Sequence, residues 1–125
     1  MKIIVVSGGF DPIHSGHIAY FEAARKLGDK LIVALNSDAW LINKKSKFFM
    51  PFVERKIILQ NLRMVDEVID FQDDDKGSAT FALEKIKKLY PDDEITFCNG
   101  GDRTQENIPE MAVSNIEFAL SVGGD

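Results

Sequence analysis

The sequence has no apolar run near the roughly 18 residues that a membrane-spanning helix needs, so no partner membrane is expected. Its apolar start, residues 1–7, carries one lysine and runs directly into Gly8-Gly9. That stretch is too short for a secretory leader and has no small-residue cleavage site. Cysteine is nearly absent: Cys98 is the single one, which excludes an internal disulfide and fits a reducing compartment. The expectation is a cytoplasmic protein, with Cys98 as a small buried apolar residue. An excess of positive charge is missing too. Fifteen Lys and Arg face twenty Asp and Glu, for a formal net charge of -5, whereas general nucleic-acid binders present a basic face. Nucleic acid is therefore not expected as a partner. Repeats, low-complexity tracts and the G-x-G-x-x-G dinucleotide fingerprint are absent as well.

What is present is a chain of 125 residues, 45% hydrophobic, enough to fill the core of a single domain. Residues 3–6 read IIVV, a β-branched run with both faces apolar, as in a strand buried inside a parallel sheet. After Gly8-Gly9 the period changes. Ile18, Phe21, Ala24 and Leu27 recur at helical spacing, with Arg25 and Lys26 in the last turn and Gly28 as the cap. This helix opens near Ser15 or Gly16. Residues 31–35 form a second strand, closed by Asn36-Ser37-Asp38. Residues 40–52 read as irregular, with a lysine cluster beside Trp40, Phe48, Phe49 and Phe52. These aromatics suit a lid packed on the core, a pocket wall or a dimer surface. Pro51 precedes or starts a helix carried on to Val65. Strands follow at 67–71, 94–98 and 116–122, with an amphipathic helix at 79–90 and a short helical turn at 108–113. The alternation predicts an open, parallel, five-stranded α/β sheet in a single domain, with helices on both faces and right-handed crossovers. The loops after the strands (residues 8–15, 36–49 and 99–103) then gather at the carboxyl edge, where such sheets bind ligands.

The chemistry concentrates in residues 8–17, GGFDPIHSGH. Gly8, Gly9 and Gly16 have no Cβ, so backbone there can approach a ligand closely. A helix opening at this point offers unpaired N–H groups and a partial positive charge, a seat for phosphate. His14 and His17, the only two histidines, bracket that opening and can turn toward one cleft. Two imidazoles beside a triphosphate can donate hydrogen bonds to oxygens that gain charge in the transition state. A metal site of His14, His17 and Asp11 is the other reading of the spacing. It lacks a further strong ligand nearby, so no metal held by protein side chains is expected.

His14-Ser15-Gly16-His17 resembles the HxGH signature of the nucleotidyltransferase superfamily, of cytidylyltransferase-like type. The longer match is to glycerol-3-phosphate cytidylyltransferases and heptose-1-phosphate adenylyltransferases. It takes in Gly9-Phe10-Asp11, residues 24–29, Asn36-Ser37-Asp38, Glu54-Arg55, residues 63–68 and Gly100-Gly101-Asp102, and covers roughly residues 1–103. The resemblance implies a Rossmann-like fold and transfer of CMP or AMP, from CTP or ATP, to a small phosphorylated acceptor. It implies Mg²⁺ carried with the triphosphate and a homodimer. It assigns His14, His17 and Lys44 to catalysis. Gly8, Gly9, Phe10, Gly16, Gly101, Asp102 and Arg103 would bind the nucleotide, and Asp11, Asp38, Lys47, Arg55 and Arg63 the acceptor or phosphate. Plainer readings stand beside these: a solvated lysine loop for residues 44–47, a helix cap for Asp38, and helix-surface positions for Arg55 and Arg63.

These families carry an arginine and a Ser/Thr-rich segment after the fifth strand, where they help to hold the β- and γ-phosphates. The sequence reaches Gly123-Gly124-Asp125 at that place. The expectation is thus a nucleotidyltransferase domain over residues 1–125 without that segment. A catalytically inactive nucleotide-binding module is the alternative, and product formation separates the two.

Overall fold

The computed structural model describes residues 1–73 and 79–98 and the backbone of 116–119. Its elements are β1 (Lys2–Gly8), α1 (Ser15–Arg25), β2 (Lys30–Leu35), α2 (Asp38–Lys45), α3 (Phe52–Gln60), β3 (Glu67–Ile69), α4 (Thr80–Leu89), β4 (Glu94–Cys98) and β5 (Ile116–Ala119). The strands form one sheet in the order β3-β2-β1-β4-β5, with every pairing parallel. Val5 of the central strand lies level with Ile32 on one side and Phe97 on the other.

Both faces of β1 are covered, which is why its apolar residues run without alternation. Ile3 and Val5 pack with Ile32, Ile95 and Phe97 under Ala82, Leu83 and Ile86 of α4. Ile4 and Val6 pack with Leu31 and Val33 under Phe21 and Ala24 of α1 and Leu59 of α3. The chain moves outward from β1 to β2 and β3 with α1 and α3 on one face. It then crosses back over α4 on the opposite face to reach β4. The direction reverses between β1 and β4, and a crevice opens at the carboxyl end of such a switch point. Gly8, the last residue of β1, stands at that place.

Three local expectations are corrected. Residues 38–45 are helical, not irregular. Ser37 Oγ accepts the Trp40 N–H at 3.0 Å to start α2, and Ser46 ends it in the left-handed region at φ 74°. Only Leu41 of α2 is buried, so caps rather than an apolar stripe define this helix. α3 stops at Gln60, after which Asn61, Leu62 and Val65 donate to carbonyls three residues back in tight turns. β3 ends at Ile69, two residues before the expected limit. The helical turn expected at 108–113 lies outside the described residues, as does the extension of β5 beyond Ala119. No helix among the described residues is long and apolar enough to cross a membrane.

Candidate active site

The loop from β1 to α1 builds the site from backbone hydrogen bonds. His14 is the N-cap of α1, with extended backbone at φ -146° and ψ 177°. Its Nδ1 accepts the Gly16 N–H at 3.0 Å, and His17 Nδ1 accepts the His14 N–H at 3.2 Å. A backbone N–H can only donate, so each Nδ1 holds a lone pair and each ring carries its proton on Nε2. The same capping box that starts the helix thus fixes two Nε2–H donors. The rings lie side by side, with centroids 3.8 Å apart and planes at 26°. Burial, and then the neighbouring His14, lower the His17 pKa below its ordinary value.

The glycines serve this packing. A Cβ on Gly16 would stand 2.9 Å from His14 Cε1, one on Gly8 2.9 Å from the Phe10 ring, and one on Gly9 2.6 Å from Leu41. At Gly8 and Gly9 the position a Cβ would take is filled by the chain's own Phe10 and Leu41. Phe10 adopts φ 49° and turns its ring inward, edge-on to both His17 and Phe21 at 5.0 Å. It is a buttress for His17, buried at 8% exposure against α1. Tyr20 of α1 donates to the Cys98 carbonyl at 3.1 Å, pinning the end of β4 beside the cleft.

Three residues expected at the substrate, Asp11, Arg55 and Asp38, have partners inside the chain. The Asp11 carboxylate accepts the N–H groups of Phe49 and Met50 at 2.5 and 2.6 Å and pairs with Lys45 at 3.2 Å. Its side chain has no exposure. Burial pushes its pKa up, but the two amides and Lys45 prevail and hold it below the ordinary value. Arg55 is 1% exposed. Its guanidinium donates to the carbonyls of Met50, Gly9 and Asn36 and to the Asp38 carboxylate, at 2.7–3.0 Å. A buried cation needs such complete pairing, which commits Arg55 to the scaffold and gives Asp38 an internal partner in the first turn of α2.

Lys44 and Lys45 close α2. Lys44 Nζ lies over the Trp40 ring, 4.8 Å from its centroid. Lys45, which the sequence reading passed over, is the lysine that reaches the glycine–histidine loop. Nothing local distinguishes it from Lys44. Lys47 lines a cavity of about 310 Å³ with Lys45, Phe48 and Phe49. Arg63 is not brought to the cleft. It follows α3 at the edge where the strands begin, exposed, with Glu22 3.6 Å away. Gly101, Asp102 and Arg103 lie outside the described residues. No group of three His, Cys, Asp or Glu among the described residues could hold a metal ion. A hard divalent cation prefers carboxylate oxygens, and the carboxylate nearest the histidines in sequence, Asp11, has both oxygens occupied. The described side chains therefore do not fit a resident Mg²⁺.

A parallel α/β sheet whose switch point carries paired imidazoles at a helix N-terminus defines a domain built for phosphate chemistry on nucleotides. The match to the family described as cytidylyltransferase-like spans residues 5–121, and the chain belongs to that family of nucleotidyltransferases. It is 44% identical over 109 residues to the bifunctional protein HldE of Salmonella arizonae, covering 86% of this chain and 21% of that protein. To the bifunctional protein HldE of Photorhabdus laumondii it is 35% identical over 126 residues, 99% of this chain and 24% of that protein. The chain thus spans less than a quarter of the length of these curated relatives. The same fold occurs in the lipopolysaccharide core biosynthesis protein of Thermoplasma volcanium, at TM-score 0.75 and 22% identity, covering 100% of this chain and 98% of that one. It occurs again in a putative nicotinate-nucleotide adenylyltransferase of Vibrio parahaemolyticus, at TM-score 0.61 and 18% identity, covering 96% and 76%.

Proposed function

We propose that this nucleotidyltransferase-family domain transfers CMP or AMP from CTP or ATP to a small phosphorylated acceptor, glycerol 3-phosphate or a sugar phosphate. The observation that carries the reading is the pair of imidazoles whose Nδ1 atoms are occupied by backbone N–H groups, so that both offer Nε2–H as donors. An acceptor phosphate oxygen attacks the α-phosphorus. The bond from that phosphorus to the bridging oxygen breaks, and pyrophosphate leaves with the electron pair. Negative charge grows on the α-phosphoryl oxygens and on the leaving group. Fixed donors in a partly buried loop stabilise it without reorganising.

His14 and His17 take the α-phosphoryl oxygens in this reading. Lys44 and Lys47 neutralise the triphosphate or the acceptor phosphate. Gly101, Asp102 and Arg103 hold the nucleoside. Mg²⁺ enters with the triphosphate, bound through phosphate oxygens. The domain works in the cytoplasm as a homodimer, a state favoured by the exposed Phe49, Val53 and Ile57 on the α3 side.

The test is pyrophosphate release with Mg²⁺, CTP or ATP, and a panel of glycerol, heptose and other sugar phosphates. Release that requires one NTP and one acceptor supports the reading and names both substrates. NTP binding without release for any pair contradicts it and leaves a nucleotide-binding module.

A further inference from the structure

The segment between α2 and α3 is gripped on both sides of Met50, by Asp11 of the histidine loop and by Arg55 of α3. The Met50 N–H donates to the Asp11 carboxylate at 2.6 Å, and the Met50 carbonyl accepts from Arg55 Nε at 3.0 Å. Arg55 also holds the Gly9 carbonyl, at 2.9 Å. Both grips on Met50 therefore lead back to the same stretch, Gly9 to Asp11. Lys45 adds a further tie, donating to the Asp11 backbone carbonyl at 2.8 Å. A carboxylate withdrawn from water is costly unless charge-assisted donors satisfy it, and here the donors all come from one segment. That segment carries Lys44, Lys45 and Lys47 and turns at Ser46 through a left-handed residue. The α2 end of the segment is held by the buried Leu41 and by the Asp38–Arg55 ion pair at 2.7 Å.

We infer that Asp11 is a positioning residue, a latch whose carboxylate closes the lysine-bearing segment 44–50 onto the loop 9–17 and so sets the cations beside the paired imidazoles. Its catalytic consequence rests on the nucleotidyl-transfer reading above. Asp11 touches no substrate in this arrangement. It acts through the placement of lysines whose charge matters most in the transition state, so its loss falls on kcat rather than on acceptor KM.

The 125-residue chain is compared with Asp11→Ala and Asp11→Asn in two readouts, with thermal unfolding as the check that each variant is folded. The first is tryptic cleavage after Lys44, Lys45 and Lys47, followed by mass spectrometry, which needs no catalysis. The second is kcat and KM in the pyrophosphate assay. The expected result is cleavage faster by at least about tenfold as the released segment opens. With it, kcat falls about 10- to 100-fold, the scale of a misplacement near 1 Å, while acceptor KM stays close to wild type. Asp11→Asn, which keeps the size and one acceptor oxygen, falls between wild type and alanine and carries the test if the alanine variant does not fold. Cleavage of Asp11→Asn at the wild-type rate overturns the latch. A raised acceptor KM with unchanged kcat and cleavage also overturns it and puts Asp11 at the acceptor. If the wild type releases no pyrophosphate with any pair, the nucleotidyl-transfer reading fails, while the cleavage comparison still decides the latch.

Discussion

His14 combines two roles in one ring. Its Nδ1 caps α1, and that bond fixes the proton on Nε2, the nitrogen that meets phosphate in the proposed reaction. Gly16 makes room for it. Gly16→Ala puts a methyl 2.9 Å from His14 Cε1 and 3.0 Å from Nδ1, so the ring must swing away from its cap. The variant should lose about 1 kcal/mol of stability, the usual worth of an N-cap. Its kcat should fall by at least about tenfold, since one oriented donor is worth more than that. Urea unfolding and steady-state kinetics check the two effects separately. His17 gives a pH signature. Its folded pKa lies below the ordinary 6.5, with burial as the main cause, so the unfolded chain takes up the proton first as pH falls. Stability should therefore decline as pH drops below 6.5 toward the folded value. His17→Asn keeps an acceptor for the His14 N–H and cannot protonate. In urea titrations between pH 7.5 and 5.5 it should show a shallower decline than wild type; an equal slope would contradict the assignment. Asp11 has the depressed carboxylate pattern. Its stabilisation is full above the ordinary value of 3.8 and is lost as pH falls through the lower folded value.

At the scale of elements, α2 depends on its ends. Ser37 caps the start and Ser46 takes φ 74° at the finish. Ser46→Val forces a β-branched residue into the left-handed region and should cost about 1–2 kcal/mol, whereas Ser46→Gly should be neutral or slightly stabilising; thermal unfolding of both distinguishes them. This helix also marks where sequence reasoning ran short. β1 and α1 were legible because IIVV and the spacing of Ile18, Phe21 and Ala24 carry their own periods, and His14, Ser15 and Gly16 mark the junction. α2 was not legible, because a helix that buries one residue leaves no apolar period to read. Nor was the burial of Arg55, whose partners Gly9 and Asn36 lie 46 and 19 residues away and are carbonyls that any residue could supply. Phe10 read as a loop residue. Only the fold shows its ring turned in against Phe21.

Over the whole molecule, the strand order β3-β2-β1-β4-β5 puts β1 at the centre with both of its faces covered. The alternation of apolar runs announced the parallel sheet and its five strands, though not their order. The order matters because it brings the glycine–histidine loop of β1 to the reversal beside β4, while Arg55 and Asp11 fold the lysine segment over from the β2 side. The arrangement is one of fixed donors: backbone N–H groups orient two imidazoles, and a parallel sheet holds that backbone. Pyrophosphate release by wild type, His14→Ala and His17→Ala, with the NTP and acceptor that the wild type accepts, measures this claim most directly. The account predicts that each substitution lowers kcat by about 100-fold or more, as removal of one fixed transition-state donor does, with both variants still folded. Turnover within about twofold of wild type for His14→Ala, far less than the loss of such a donor, would contradict it.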